Sequence, residues 1–298
     1  MITIIRLELG KHKKIIRVND ILRIFENSKQ FFVDKYNAER NPSAPIQEYI
    51  AHLYNEGAEL FDNEHSSHRL IQYYSSFLVP ILKTYNVKSV LDCACGTGTQ
   101  TISLAIEGYN VTGSDISAGM LQKAKEKAIQ FNLNVRLLES DFCQLEKSIS
   151  ERYDAVICMT NSLSHLLSER DIKRALSSMY DRLNCNGIIL IELINYDELL
   201  KTKEKWTSVN VAEQRDDNLI TMLYVFDYLQ ENIVRWNVIY FKQDIITGES
   251  CMDVRIFDSM GIQENTLKDI MGEVGFKHIN RRKSLASTSL LFTGERCG

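Results

Sequence analysis

From Val87 onward the chain alternates short β-branched runs with longer amphipathic stretches. The runs are "SVLDCA", "YNVTGSD", "NVRLLESD", "YDAVICM" and "GIILIEL"; between them lie "TQTISLAIEG", "AGMLQKAKEKAIQFN" and "ERDIKRALSSMYDRLN". Apolar runs of strand length joined through helices require right-handed crossovers, so the pattern predicts an α/β fold with a doubly wound, mostly parallel sheet. Residues 46–85 read as helical throughout. After Tyr196 the rhythm changes: "NLITMLYVFDYLQ", "NIVRWNVIYFKQD" and "CMDVRIFDSM" are strand-like and joined by turn residues, which predicts an antiparallel β insertion over 203–260. A helix, "ENTLKDIMGEVGF", and two closing strands, "KHINRRKS" and "SLLFTGER", return to the first pattern. At the other end, "ITIIRLEL" and "KIIRV" flank "GKHK" as a hairpin, and a helix starts behind Asn19 or Asp20. "NPSAP" then holds two of the chain's three prolines, so residues 1–45 are expected to be an appendage to a main domain over 46–298.

Composition narrows the function by exclusion. Charged residues make up 25% of the 298, and the net charge of -4 offers no general attraction to a polyphosphate, so no nucleic-acid partner is expected. The basic run Lys11–Lys14 reads as a solvated turn. No stretch approaches the ~18 apolar residues that span a bilayer. The seven cysteines form no paired framework and no charged-then-apolar leader opens the chain, which points to a reduced, cytoplasmic setting. Cys93-x-Cys95 is too tight for a metal knuckle and has no second ligand pair, so no metal is expected.

The chemistry concentrates in "VLDCACGTGTQTISLA", a strand running through a glycine turn into a helix. Gly96 and Gly98 are followed by Thr101, a mild departure from the G-x-G-x-x-G of dinucleotide sites. Asp92 at the strand end would repel a pyrophosphate but suits a ligand with a positive amino group. Asp115 ends the next strand, where a carboxylate can accept from both hydroxyls of a ribose. Asp141 and Phe142 end the third, offering an acceptor to an exocyclic amine and a face to a purine, with Met120 placed for the other face. Each acid alone reads equally well as a helix cap; together they indicate a nucleoside-type cofactor.

This set resembles the class I S-adenosylmethionine-dependent methyltransferases from about Ile50 to the C-terminus, with closest likeness to the glycine/sarcosine N-methyltransferase-like small-molecule enzymes. The carrying segments are "LDCACGTGTQTISLA", "VTGSDIS", "LLESDF", "YDAVICMTNSLSHL" and, more weakly, "YNEGAELFD". The resemblance implies a Rossmann-like seven-stranded sheet, with the insertion forming part of a lid. The cofactor would be S-adenosyl-L-methionine, leaving as S-adenosyl-L-homocysteine. It implies cofactor contacts from Tyr54, Ala94, Ile116 and the backbone near Met159, besides the residues above. Asn161 would lie by the methyl acceptor, and Asn195 and Tyr196 would line the substrate pocket. Where the glycine-methylating enzymes carry an arginine for the substrate carboxylate, this chain has Ile194, which puts glycine in doubt.

Methyl transfer from a sulfonium is an in-line displacement governed by alignment and water exclusion, so a strong base is not obligatory. His165 is the base candidate, against a loop-shaping role that the sequence favours slightly; Tyr54 and Asn161 complete the catalytic set, and Asn161 and His165 also face the acceptor. Nitrogen of a small amine is the favoured acceptor. Oxygen or carbon of a metabolite scaffold and a non-catalytic cofactor-binding sensor or partner subunit are the alternatives. A homo-oligomer is compatible with the sequence.

Overall fold

The computed structural model describes residues 5–7, 16–41, 43–65, 68–230 and 232–298, so the Lys11–Lys14 run and most of the expected N-terminal hairpin lie outside the described residues. In chain order β1 (Ile5–Leu7) and α1 (Val18–Glu39) precede two helices, α2 (Ile46–His65) and α3 (His68–Thr84). The alternating region follows as β2 (Ser89–Cys93), α4 (Thr99–Ile106), β3 (Asn110–Asp115), α5 (Ala118–Gln130), β4 (Arg136–Glu139), β5 (Tyr153–Cys158), α6 (Glu169–Asp181) and β6 (Leu183–Ile194). Next come α7 (Tyr196–Thr202) and the long strands β7 (Trp206–Arg215), β8 (Asn218–Tyr228), β9 (Ile233–Asp244) and β10 (Ser250–Met260). The chain ends with α8 (Glu264–Val274), β11 (Lys277–Lys283) and β12 (Ser289–Glu295).

Two compact units result. Residues 46–198 and 260–298 form one, and residues 1–45 and 199–259 the other, which joins the N-terminal segment to the antiparallel strands.

The larger unit is built on a seven-stranded sheet in the order β11-β12-β6-β5-β2-β3-β4. Strands β2 to β6 are mutually parallel, β12 runs antiparallel to β6, and β11 antiparallel to β12. This is the predicted Rossmann-like sheet. Val90, Leu91, Asp92 and Cys93 of β2 are all buried, which explains why this strand reads as a continuous apolar run and not as an alternation. On one face Leu78 and Leu82 of α3 and Leu104 of α4 pack with Val90, Ala155, Ile157 and Ile188. From β2 the chain winds outward through β3 and β4, then returns to β5 on the other side. The reversal leaves a crevice beyond the carboxyl ends of β2 and β5, the general ligand position of such sheets.

The smaller unit contains a five-stranded sheet, β1-β10-β9-β8-β7. The buried Phe25, Phe32 and Tyr36 of α1 give that helix an apolar stripe. It is fixed to the sheet by polar contacts as well: Lys29 Nζ lies 2.6 Å from Asp227 Oδ1, and the Tyr36 hydroxyl donates to Asp258 Oδ2 at 2.9 Å. Asp258 also accepts from Arg40 and Arg235, so the carboxylate is paired despite its burial.

Two elements escape the sequence pattern. β7 is an edge strand whose Trp206, Val209 and Val211 stay 38%, 45% and 53% exposed, and its ladder to β8 shifts register twice. With neither face buried, nothing imposes period-two alternation on it. α7 is a seven-residue helix, too short to establish a helical period. Among the described residues no helix is long and apolar enough to cross a membrane.

Candidate active site

The glycine turn is shaped by left-handed backbone: Ala94, Gly96 and Gly98 have φ of 62°, 55° and 81°. That curvature lets the Gly96 N–H donate to Asp115 Oδ2 at 2.8 Å, tying the end of β2 to the end of β3. The other Asp115 oxygen accepts from the Ser117 N–H at 2.9 Å. Burial pushes Asp115 up to about 6 against the lowering effect of these amides. Asp92 lies deeper, 1% exposed, and accepts the Thr101 hydroxyl at 2.6 Å. Burial raises it to about 7, opposed by Thr101 and assisted by the Asp115 charge.

Ser117 caps α5 by accepting from the Met120 N–H and donates its own hydrogen to Asn55 Oδ1. Asn55 Oδ1 also accepts from the Gly119 N–H, so α2 is seated on the start of α5. That seat brings the neighbouring Tyr54 over the turn. Its hydroxyl lies 2.9 Å from His165 Nε2, the direction of donation depending on the imidazole tautomer, and its ring meets Phe61 edge-on at 5.8 Å. Burial alone lowers His165 to about 4, so the imidazole is neutral at pH 7.

His165 ends a single 3₁₀ turn after β5 that is entered through Thr160 and Asn161, both left-handed at φ 51° and 67°. A β-branched residue there is a genuine outlier, and the surroundings hold it in place. Glu192 of β6 accepts from the Thr160 N–H through its carboxylate and from the Asn161 N–H through its carbonyl. Ser284 donates to the other Glu192 oxygen.

These elements line an open cleft whose empty space, mouth included, is about 890 Å³. Its walls are Ile46, Gln47, Ile50, Tyr54 and Phe61 of α2; Ala94–Thr97, Thr99 and Gln100; Asp115, Ile116 and Met120; Asp141 and Phe142; and Thr160, Ser162, His165 and Leu166. Among the described residues, Asp115 and Asp141 are the only Asp, Glu, Lys or Arg in that wall. Asp141 also caps the following turn, accepting from the Cys143 N–H at 2.8 Å, while it borders the cleft.

The fold thus brings together Tyr54, Ala94, Gly96, Asp115, Ile116, Met120, Asp141, Phe142 and His165. The other sequence candidates stand elsewhere. Asp92 lies behind the turn, Gly98 belongs to the turn but does not line the cleft, and Met159 is a core residue, 2% exposed. Asn161 spends its amide on the scaffold, donating to the Tyr196 hydroxyl and accepting from the Ile194 N–H. Tyr196 is 1% exposed, and Asn195 Oδ1 accepts from the Glu198 N–H at the start of α7. Sequence reasoning missed Gln47, Ile50 and Phe61, because helical spacing locates α2 but not the face it turns to the cleft. It also passed over Thr97 and Thr99, although both belong to the glycine motif itself.

Residues 90–187 match the model of a methyltransferase domain. A glycine/sarcosine N-methyltransferase of Aphanothece halophytica is 34% identical over 199 residues, which is 64% of this chain and 72% of that one. An enzyme of the same description from Halorhodospira halochloris is 36% identical over 124 residues, 42% of this chain and 46% of the relative. Among solved structures, an S-adenosylmethionine-dependent methyltransferase of Clostridium acetobutylicum superposes with a TM-score of 0.67 at 18% identity, covering 82% of this chain and 99% of its own. The glycine turn and strand-end acids lie within the matched span. The chain belongs to the class I S-adenosylmethionine-dependent methyltransferases, enzymes that take their methyl group from that cofactor.

Proposed function

We propose that the protein methylates a nitrogen of a small amine that lacks a carboxylate. The donor set of the cleft fits the cofactor. Asp115 presents a carboxylate held rigidly by two backbone amides, Ile116, Met120 and Phe142 form apolar faces beside Asp141, and a Cβ at Gly96 would meet the Phe61 ring at 3.7 Å. Asp115 would take the ribose hydroxyls, Asp141 with the apolar faces the adenine, and the turn at Gly96 the amino-acid end. S-adenosylmethionine supplies, when bound, a methyl group made electrophilic by the adjoining sulfonium.

The observation that carries the amine reading is the pairing of Tyr54 with a neutral His165 in a wall whose formal charges, among the described residues, are all negative. An amine nitrogen gains positive charge as it is alkylated, which acidic and aromatic neighbours stabilise. A histidine lowered to about 4 is a poor store for a proton at pH 7. Tyr54 and His165 therefore orient the nitrogen through a hydrogen bond, and the amine arrives already neutral. A carboxylate on the acceptor would find no Lys or Arg side chain among the described cleft residues, and Ile194 stands where the family resemblance places the arginine clamp. The relatives' descriptions as glycine/sarcosine N-methyltransferases support nitrogen as acceptor.

The test is a screen with methyl-labelled cofactor against primary and secondary amines with and without a carboxylate, together with phenols and carbon acids. Label is expected on amines free of carboxylate, with glycine turned over at least about 100-fold less efficiently, since a lost bidentate pair costs about 3 kcal/mol. Transfer confined to oxygen or carbon acceptors would reject the proposal.

Asp115 also gives binding a pH dependence. Ribose hydroxyls donate, so they favour the ionised carboxylate, and cofactor affinity is expected to rise from pH 5 to 7 and level off above. Titration calorimetry in two buffers of different ionisation heat reads the released proton near pH 6. A flat affinity over that range would remove Asp115 from the contact.

A further inference from the structure

Lys127 stands in the last turn of α5, within the charged stretch "QKAKEKA", yet it is only 4% exposed. A lysine is almost never found so deep unless its ammonium is satisfied. Here Nζ lies 3.1 Å from Thr97 Oγ1 and 3.4 Å from Thr99 Oγ1. Both threonines belong to the glycine turn and the start of α4, both are nearly inaccessible, and both border the cleft. An ammonium has three hydrogens and no acceptor site, so in these contacts the hydroxyl oxygens must accept. Each threonine hydrogen is thereby turned away from α5. The same corner carries the first amides of α4, whose N–H groups have no partner within the helix and form its positive end.

We propose that Lys127 is a positioning residue of the methyltransferase site: by donating to Thr97 it fixes that hydroxyl as a donor toward the cleft, where it receives the carboxylate of the cofactor's amino-acid end. The positive ammonium behind the turn adds to the attraction without touching the ligand. Asp115 and Asp141 face the nucleoside portion, so Lys127 assigns opposite charge to opposite ends of one cleft. The inference depends on the cofactor alone and stands whatever the methyl acceptor proves to be.

The test compares Lys127→Met with the unaltered protein in binding S-adenosylmethionine and 5′-methylthioadenosine, which has the same nucleoside but a neutral thioether for the sulfonium and no amino-acid end. The dissociation constant for S-adenosylmethionine is expected to rise about tenfold or more, that for methylthioadenosine to stay within about twofold, and kcat at saturating cofactor to stay within about threefold. Thr97→Val should show the same selectivity, and the double variant should be little worse than either single one, because both remove the same oriented hydroxyl. Equal weakening of both ligands would make Lys127 a support of the fold only, and no weakening of either would deny it any part in binding. Additive losses in the double variant would also overturn the proposal. Should Lys127→Met not fold, Thr97→Val carries the same ligand comparison.

Discussion

Replacing Asp115 by alanine is expected to raise the dissociation constant for S-adenosylmethionine about 1000-fold while leaving the unliganded protein folded. Two charge-assisted hydrogen bonds to ribose hydroxyls are each worth about 1.5–3 kcal/mol, and alanine removes both. The same carboxylate accepts from the Gly96 and Ser117 amides, so the loss of those bonds disturbs the turn. The stability change is nevertheless small at neutral pH, and the sign follows from the raised pKa. A carboxyl at about 6 in the folded state and near 3.8 when unfolded contributes stability that is fully present below the unfolded value. That contribution is lost as pH rises through the folded value. Above pH 7 the free protein therefore carries the penalty of a buried anion, which alanine removes as it removes the amide bonds. Asp92, raised to about 7, gives the same dependence in a slightly higher window, whereas His165, lowered to about 4, opposes both between pH 4 and 6.5. Asp115→Asn keeps one acceptor oxygen and is expected to lie about midway, near a 30-fold loss. Calorimetry for affinity and urea denaturation for stability separate the effects. An affinity within threefold of the original for Asp115→Ala would take the ribose contact, and the cofactor orientation argued from it, off this residue.

The parallel sheet was legible in the sequence because burial on both faces forces apolar runs, as in Val90–Cys93, and crossovers force helices between them. Strand-end acids were legible for a related reason: a carboxylate closing an apolar run has nowhere to point but the crevice or the next turn. Asp141 does both. What the sequence hides is the use to which a side chain's polar atoms are put. Asn161 occupies a loop suited to face a substrate, but a left-handed backbone turns its amide onto Tyr196 and Ile194. Lys127 is indistinguishable by pattern from Lys123 and Lys125 and differs only in depth, which depends on how α5 lies against the turn. The union of residues 1–45 with 199–259 rests on contacts such as Lys29 with Asp227, 198 positions apart, for which no local pattern exists.

That lie of α5 is what the second glycine of the turn provides, and Gly98→Ala is the sharpest test of it. A Cβ at Gly98 would come within 2.9 Å of Ala124 Cβ and 3.3 Å of Ala124 Cα, so the backbone of α5 would have to move. The left-handed φ of 81° adds a penalty of its own. Gly108 separates the two effects, since its φ is 85° but nothing lies within 4 Å of its virtual Cβ. Alanine at Gly108 should cost only the conformational strain, about 1 kcal/mol. At Gly98 the same strain joins an overpacking cost of about 1–3 kcal/mol, for a total near 3 kcal/mol in denaturant unfolding. Displacing α5 also displaces Met120 and Lys127 from the cleft and the turn, so cofactor affinity should fall at least about 30-fold in Gly98→Ala and not change in Gly108→Ala. If the two variants lose equal stability and neither loses affinity, the turn needs glycine for its backbone angle alone, and the close seating of α5 has no part in holding the cofactor.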